Sequence, residues 1–393
     1  MAVAAEPQSF RPVLADLEAR DLRRQRRTVH RGKPDSAEIE LDGRRCIDFC
    51  SNDYLGLAAH PQVVEAFIDA ARMHGVGARA SHLVTGHQAE HEALEQELAA
   101  YTGRERAIVF STGYMANLGL ARAVAGRDAT VYGDQLNHAS LIDGGRLSGA
   151  KLQRYPHADV AVLEQQLAAQ ESGTALVLTD GVFSMDGDLA PLPALAAACS
   201  RYGAFLAVDD AHGLGVTGAT GRGSLEHFGL SPGEVPALVG TFGKAFGTFG
   251  AFVAGSEDLI ETLIQRARTY IYTTALPPAV AAATRMALAV SIAEPWRRER
   301  VLALTRRFRE LALAAGITLG TSETPIQPIL IGSADSAMRT SNALLERGFF
   351  VAAIRPPTVP ADTSRLRITL SAAHRDEDVE RLVAALAEIL QPE

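Results

Sequence analysis

Lysine is nearly absent from this chain: only Lys33, Lys151 and Lys244 stand among 38 cationic side chains in 393 residues. Cysteine is scarce too. Cys46, Cys50 and Cys199 cannot all pair and show no C-x-x-C spacing, which argues for free thiols, a reducing compartment and no zinc site. No run of eighteen apolar residues occurs, so a membrane span is not expected. Positive charge is in deficit, at a net −8 and a pI near 5.8, which counts against general binding to the phosphate backbone of nucleic acid. Neither internal repeats nor low-complexity linkers stand out.

What remains is ordinary for a globular protein with a sizeable core: 47% apolar and 21% charged residues, over a length that suits two or three lobes. The start is rich in arginine, but Glu6, Asp16, Glu18 and Asp21 interrupt it, and no apolar segment or small-residue cleavage site follows. It reads as an N-terminal helix with a basic face rather than a transit peptide, and a cytoplasmic protein is expected.

Through the central two-thirds, short apolar runs alternate with amphipathic stretches, the pattern of a mainly parallel sheet covered by helices. Strands are expected at 107–110, 129–132, 151–155, 175–179, 205–209, 237–241 and 250–254, with helices at 88–101, 115–125, 160–169, 193–201 and 258–268. A composition shift near 276–278 precedes a long helical stretch bearing Trp296. Strands at 326–331, 349–353 and 366–369 then interleave with helices at 334–347 and 376–390. The expected organisation is α/β: an N-terminal segment over 1–56, a large cofactor-binding domain over 57–285 and a smaller α+β domain over 286–393.

Scarcity makes each lysine worth weighing. Lys33 sits in a polar loop and Lys151 opens a strand, and both read as surface charge. Lys244 follows an apolar run and lies in a glycine-rich loop, TFGKAFG, at the carboxyl end of a strand. A partly desolvated amine there has a lowered pKa and can attack an aldehyde; a lysine capping a tight turn is the plain alternative. FLAVDDAH, over 205–212, runs a strand into two acids and a histidine, where open α/β sheets place ligands. Asp209 suits the ring nitrogen of a pyridine cofactor, His212 suits its phenolic oxygen, and Asp210 should point the other way. STGYMAN, over 111–117, is a strand-to-helix turn whose free N–H groups would hold a phosphate, although a simple helix cap reads the same. His138, opening a helix soon after a strand, is placed to stack on a ring. The order of phosphate turn, stacking His, Asp-x-x-His and Lys is what a fold-type I pyridoxal-phosphate enzyme needs.

Other patterns fail their context tests. Gly213, Gly215 and Gly218 match G-x-G-x-x-G, but no helix follows. Ala245 stands where a P-loop needs Ser or Thr. His87 and His91 form a helical i, i+4 pair without a matching acid, and a solvated helix face is expected in place of a metal site.

The chain resembles the α-oxoamine synthase family of fold-type I enzymes. The resemblance rests on SNDYLG at 51–56, the 75–86 loop, STGYMAN, NHASL at 137–141, TDGVFSMDG at 179–187, VDDAHG at 208–213, TFGKAFG at 241–247, YTTALPP at 272–278 and IRPPTVP at 354–360. IRPPTVP followed by SRLRITLSAAH is most similar to the biotin-pathway branch. The 75–86 loop departs from the family in holding fewer glycines. The resemblance implies that Lys244 carries pyridoxal 5'-phosphate as a Schiff base, His138 stacks on the ring and Asp209 pairs with its nitrogen. Ser184 and His212 would meet the phenolic oxygen side, and Gly113, Tyr114 and Thr241 would bind at the phosphate. Thr273 or Thr274 would reach the phosphate of the opposite subunit, which implies a homodimer with shared active sites. Substrate contacts would come from Asn52, His138, Arg355, Thr358 and Arg367, with Arg367 as carboxylate clamp. Among Arg23, Arg24 and Arg26, all candidates for a further substrate contact, Arg24 is favoured. The implied reaction joins L-alanine to a pimeloyl thioester, on acyl carrier protein or coenzyme A, with loss of CO₂.

Overall fold

The structure, a computed structural model, describes residues 9–20 and 22–390. Glu6 and Asp21, and with them the first residues of the expected N-terminal segment, lie outside the described residues. At its centre is a seven-stranded sheet in the spatial order Arg106–Phe110, Ala251–Gly255, Ala237–Thr241, Phe205–Asp209, Ala175–Asp180, Thr130–Asp134 and Lys151–Tyr155. Every pairing is parallel except the two made by Ala251–Gly255. All residues of Ala175–Asp180 and of Ala251–Gly255 are buried. Helices cover both faces, so these strands are written as unbroken apolar runs rather than as alternation. In the parallel register Asp180 lies opposite Asp209, which aligns two strand-end carboxylates at one edge of the sheet.

The helix Ala89–Thr102 shows why such segments start and stop where they do. Gln88 and His91 form a reciprocal capping box at its start, Glu90 and Glu92 sit in its first turn, and Gly103 ends it in the left-handed region. Its buried side chains include Leu94, Leu98 and Tyr101.

A three-stranded antiparallel sheet, Ile326–Gly332, Ser364–Thr369 and Ala352–Ile354, anchors the C-terminal part. A further sheet joins Val29–Arg31, Glu38–Leu41, Arg44–Asp48 and Phe349–Phe350. Phe49, Tyr54 and Leu57 pack in one cluster with Phe242 and Phe246 of the large sheet region and with Phe308 and Leu366 beyond it. The N-terminal segment is thus part of the core that joins the two lobes.

Three expectations need correction. The strand at 349–353 is two strands: Phe349–Phe350 runs parallel to Ile47 and Asp48, whereas Ala352–Ile354 pairs with 365–367 in another sheet, with Val351 buried between them. The long helical stretch is broken into Pro278–Ala293 and Trp296–Ala314, because Pro295 cannot continue the first. The helix Arg11–Ala19 has no basic face; it buries no residue and ends before the arginines, and Arg23, Arg24, Arg26 and Arg27 lie on chain without helix. Helix Pro278–Ala293 also runs unbroken through residue 285, so we propose that the two lobes divide after it, near Pro295. Among the described residues no helix is long and apolar enough to cross a membrane.

One polar lock sits beside the sheet. His157 Nδ1 lies 3.1 Å from Asp134 and Nε2 lies 2.8 Å from Asp188, and these hydrogen bonds push its pKa up to about 10. The raised folded-state value means the lock contributes fully below the unfolded histidine value, about 6.5, and is lost as pH rises through the folded one. His157→Asn is therefore expected to lower the urea midpoint at about pH 6 and to make little difference at about pH 10. An equal loss at both values would contradict the charged lock.

Candidate active site

Asp209 closes the strand Phe205–Asp209 and is almost fully buried. Its Oδ2 accepts from Asn117 Nδ2 at 2.6 Å and its Oδ1 from the Ala211 N–H at 3.0 Å. Asp210 faces away, as strand alternation requires. Its carboxylate accepts from the Ser224 N–H at 2.7 Å and from Ser224 Oγ at 2.8 Å, and burial pushes its pKa up to about 7. A Cβ on Gly213 or Gly223 would collide with that carboxylate. Gly213 of the G-x-G-x-x-G pattern therefore serves close packing on Asp210, not a dinucleotide.

Lys244 lies on the turn after Ala237–Thr241. Burial lowers its amine to about 8, opposed by the charges of Asp209, Asp180 and Asp210 and reinforced by Arg367. His138 caps the helix Ala139–Ser148, its N–H donating to Asp180 Oδ2 at 2.6 Å. Its side chain is open to the cleft, yet the protein around it lowers its pKa, against the pull of Asp209 and with the push of Lys244. His212 Nδ1 lies 2.7 Å from the Tyr54 hydroxyl. Burial first, then Lys244, Arg367 and His138, holds His212 well below the ordinary imidazole range, so it is neutral. The structure thus brings Lys244, Asp209, His138, His212 and Arg367 into one mutual field.

At the strand-to-helix turn, Thr112 caps Gly113–Val124 by accepting from the Met115 N–H at 3.1 Å. The N–H groups of Gly113 and Tyr114 are left without intrahelical partners, and a Cβ on Gly113 would meet nothing within 4 Å, so the space in front is open. Tyr114 is exposed and its hydroxyl bonds the Asp143 carboxylate. Thr241 spends its hydroxyl within its own turn, donating to the Gly250 carbonyl at 2.9 Å. Thr273 is half-buried and Thr274 exposed, and the Thr274 carbonyl lies 3.5 Å from Ser111 Oγ beside the same turn.

Arg367 is buried and almost fully engaged. Nε donates to the Ser184 carbonyl at 2.6 Å, one terminal nitrogen to Thr369 Oγ1 at 3.0 Å, and both terminal nitrogens to Asn52 Oδ1 at 3.2 Å. The Asn52 oxygen therefore fills the fork of the guanidinium. Ser184 reaches this group through its carbonyl. Arg24 donates to Thr358 Oγ1 at 3.2 Å, whereas Arg23 is drawn to Glu18 at 2.7 Å. Arg355 is half-buried in the segment at 354–360.

Several residues of this region were not singled out from sequence. Asn117 and Ser140 stand inside quoted motifs, but their contacts are tertiary and leave no spacing signal. Tyr54 lies within SNDYLG in the same way. Asp180, buried with its pKa raised well above the ordinary value, is at a strand end beside Asp209, and the rule that found Asp209 applies to it equally. The solvated face expected for His87 and His91 fails for His91, while His87 stays half-buried with Nε2 3.2 Å from Glu92. His91 is completely buried, accepting from the Gln88 N–H at 3.0 Å and donating from Nε2 to the Leu276 carbonyl at 2.6 Å, while His87 meets His82 at 3.0 Å. The capping box with Gln88 draws the His91 ring inward. Nitrogens of the three lie within 4.8 Å of one another, but both of His91's are occupied by backbone groups, and His87 is held between His82 and Glu92.

These groups fit pyridoxal phosphate. The site offers an amine of lowered pKa, a carboxylate fixed by two donors, an imidazole open to the cleft and two uncommitted N–H groups at a helix start. Comparison with known proteins agrees. The family Aminotransferase class I and II matches residues 44–386. The 8-amino-7-oxononanoate synthase of Methylococcus capsulatus is 60% identical over 97% of this chain and 98% of its own. That of Thioalkalivibrio sulfidiphilus is 60% identical over 94% of each. A solved structure of SPT with a PLP internal aldimine superposes with a TM-score of 0.92 at 32% identity over 97% of each chain. The chain belongs to the aminotransferase class I and II family and, within it, to the 8-amino-7-oxononanoate synthases, pyridoxal-phosphate-dependent acyltransferases of fold type I.

Proposed function

We propose that this chain condenses L-alanine with a pimeloyl thioester, giving 8-amino-7-oxononanoate, CO₂ and a free thiol carrier, in biotin biosynthesis. The observation that carries this reading is the convergence of Lys244, Asp209, His138, His212 and, from the smaller sheet, Arg367 around the carboxyl end of Phe205–Asp209, in a chain 60% identical to a named synthase. The carrier is acyl carrier protein or coenzyme A.

Pyridoxal phosphate, when bound, supplies an aldehyde that captures amines and a ring that accepts electron density from the adjacent carbon. Lys244 is the amine that holds it. With a pKa near 8, a useful fraction of free Nζ would be neutral close to neutrality and able to take alanine's α-proton. Asp209, held in place by Asn117 and Ala211, would keep negative charge at the ring nitrogen. His212 and Ser184 would hold the phenolic side of the cofactor, and Gly113, Tyr114, Thr241 and Thr273 or Thr274 would hold its phosphate. Arg367 takes the alanine carboxylate in exchange for Asn52 Oδ1. Arg24, Arg355 and Thr358 would give the further substrate contacts. The substrate carbon attacks the thioester carbonyl, the thiol leaves, and CO₂ loss is followed by reprotonation. A sibling activity with glycine or serine would keep every cofactor residue, so steady-state assays of the three amino acids against a panel of acyl thioesters decide the point. Preference for glycine or serine would overturn the assignment.

The proposed dimer is supported by an apolar surface that this chain leaves open. Val76, Val84 and Tyr272 are 90%, 73% and 70% exposed, on loops tied together by the Ala275 N–H to Ala80 carbonyl bond of 3.0 Å. The double substitution Val76→Asp, Val84→Asp is expected to give monomers in sedimentation and to lower activity at least about tenfold, because each site borrows a partner threonine. A fully active dimer would contradict this placement.

A further inference from the structure

We propose that Asn117 and Ser140 are positioning residues that decide which ring nitrogen of His138 carries its proton, so that Nε2–H is presented to the reacting substrate. This rests on His138 and Lys244 belonging to the site proposed above. Asn117 Nδ2 has two hydrogens, and both are committed: one to Asp209 Oδ2 at 2.6 Å, the other to Ser140 Oγ at 2.8 Å. Ser140 Oγ is thereby an acceptor, and its own proton is free for His138 Nδ1, 2.7 Å away. The Ser140 N–H also points at Nδ1, at 3.3 Å. With two donors aimed at Nδ1, that nitrogen must offer its lone pair, and a neutral ring then holds its hydrogen on Nε2.

The direction of this chain is fixed at its far end. Exchanging oxygen and nitrogen in the Asn117 amide would set Oδ1 against the Asp209 carboxylate, oxygen to oxygen. Oδ1 is instead buried with no partner, an arrangement preferable to setting two acceptor oxygens against each other at 2.6 Å. A helix cap alone accounts for the Ser140 N–H contact. It does not account for the hydroxyl or for Asn117, which is 1% exposed and reaches from its own helix to a strand end and a second helix. The groups facing His138 are Asp180 and Asp209 from the sheet, Lys244 from its turn and His212. The tie to Nδ1 favours the neutral ring, in the same direction as its surroundings.

The test uses the pyridoxal-phosphate holoenzyme with L-alanine and pimeloyl-CoA. Ser140→Ala is expected to retain the lysine-bound cofactor absorbance and a KM for alanine within about threefold of normal, while kcat falls on the order of 10- to 100-fold. The acid limb of its kcat profile moves to higher pH, since His138 loses a donor that held it neutral. Ser140→Thr, which keeps the hydroxyl, restores the limb and most of kcat. Asn117→Ser, too short to span Asp209 and Ser140, shifts the limb in the same direction and covers the case of a misfolded alanine variant. Normal kcat with an unmoved acid limb in Ser140→Ala and Asn117→Ser overturns the proposal. Absence of a lysine-bound cofactor band in the unaltered enzyme overturns the site reading beneath it, and is distinguishable from the first result.

Discussion

Lys244→Ala is expected to abolish turnover, by at least on the order of 10⁴-fold, and to remove the absorbance of the lysine-bound cofactor. Two losses combine in this one substitution. The amine that holds the cofactor disappears, and so does the base proposed to take alanine's proton. Neither Lys33 nor Lys151 can substitute, since they are exposed and lie in other parts of the fold. The fold should tolerate the change, because a buried amine with a pKa lowered to about 8 is held there against its own preference for water. Cofactor should therefore still bind, through the turn at Gly113 and the carboxylate of Asp209, but without its covalent tie. Normal kinetics in this variant, followed by thiol release, would sink the assignment of Lys244.

Asp209→Ala should be nearly as damaging, with kcat lower on the order of 10³-fold. Its carboxylate is the charge that favours a protonated ring nitrogen, and it is fixed by Asn117 and by the Ala211 N–H. Removing it strands the Asn117 amide in a buried site and frees that amide to turn, so His138 is disturbed as well. Asp210→Ala offers a contrast. Asp210 is enclosed by Ser224 and the glycines at 213 and 223, so its loss should appear as lowered thermal stability with cofactor spectrum intact. The two variants, compared by spectrum and by thermal melt, separate the acid that faces the ring from the acid that braces the loop.

The sheet was legible in sequence because its central strands are buried on both faces, and Phe205–Asp209 and Ala237–Thr241 are continuous apolar runs with polar residues only at their ends. The site followed from the same geometry, since strand ends are where side chains of different chemistry meet. The N-terminal sheet gave no such signal. Val29–Arg31 is wholly exposed and Glu38–Leu41 alternates over four residues only, too short to distinguish from a loop. The division at Val351 depends on two sheets competing for one segment, which no local pattern records. Asn117, Ser140 and Tyr54 have the same explanation at the site. Each is an ordinary polar residue until the fold sets it within 3 Å of a partner 23 or more positions away, as Asn117 to Ser140 and Tyr54 to His212 illustrate.

The most direct test of the account is stoichiometry. Purified holoenzyme given L-alanine and pimeloyl-CoA should release CO₂ and free thiol in equal amounts, with one 8-amino-7-oxononanoate formed for each. Amino-group transfer to give pyruvate, or thiol release without CO₂, would contradict it.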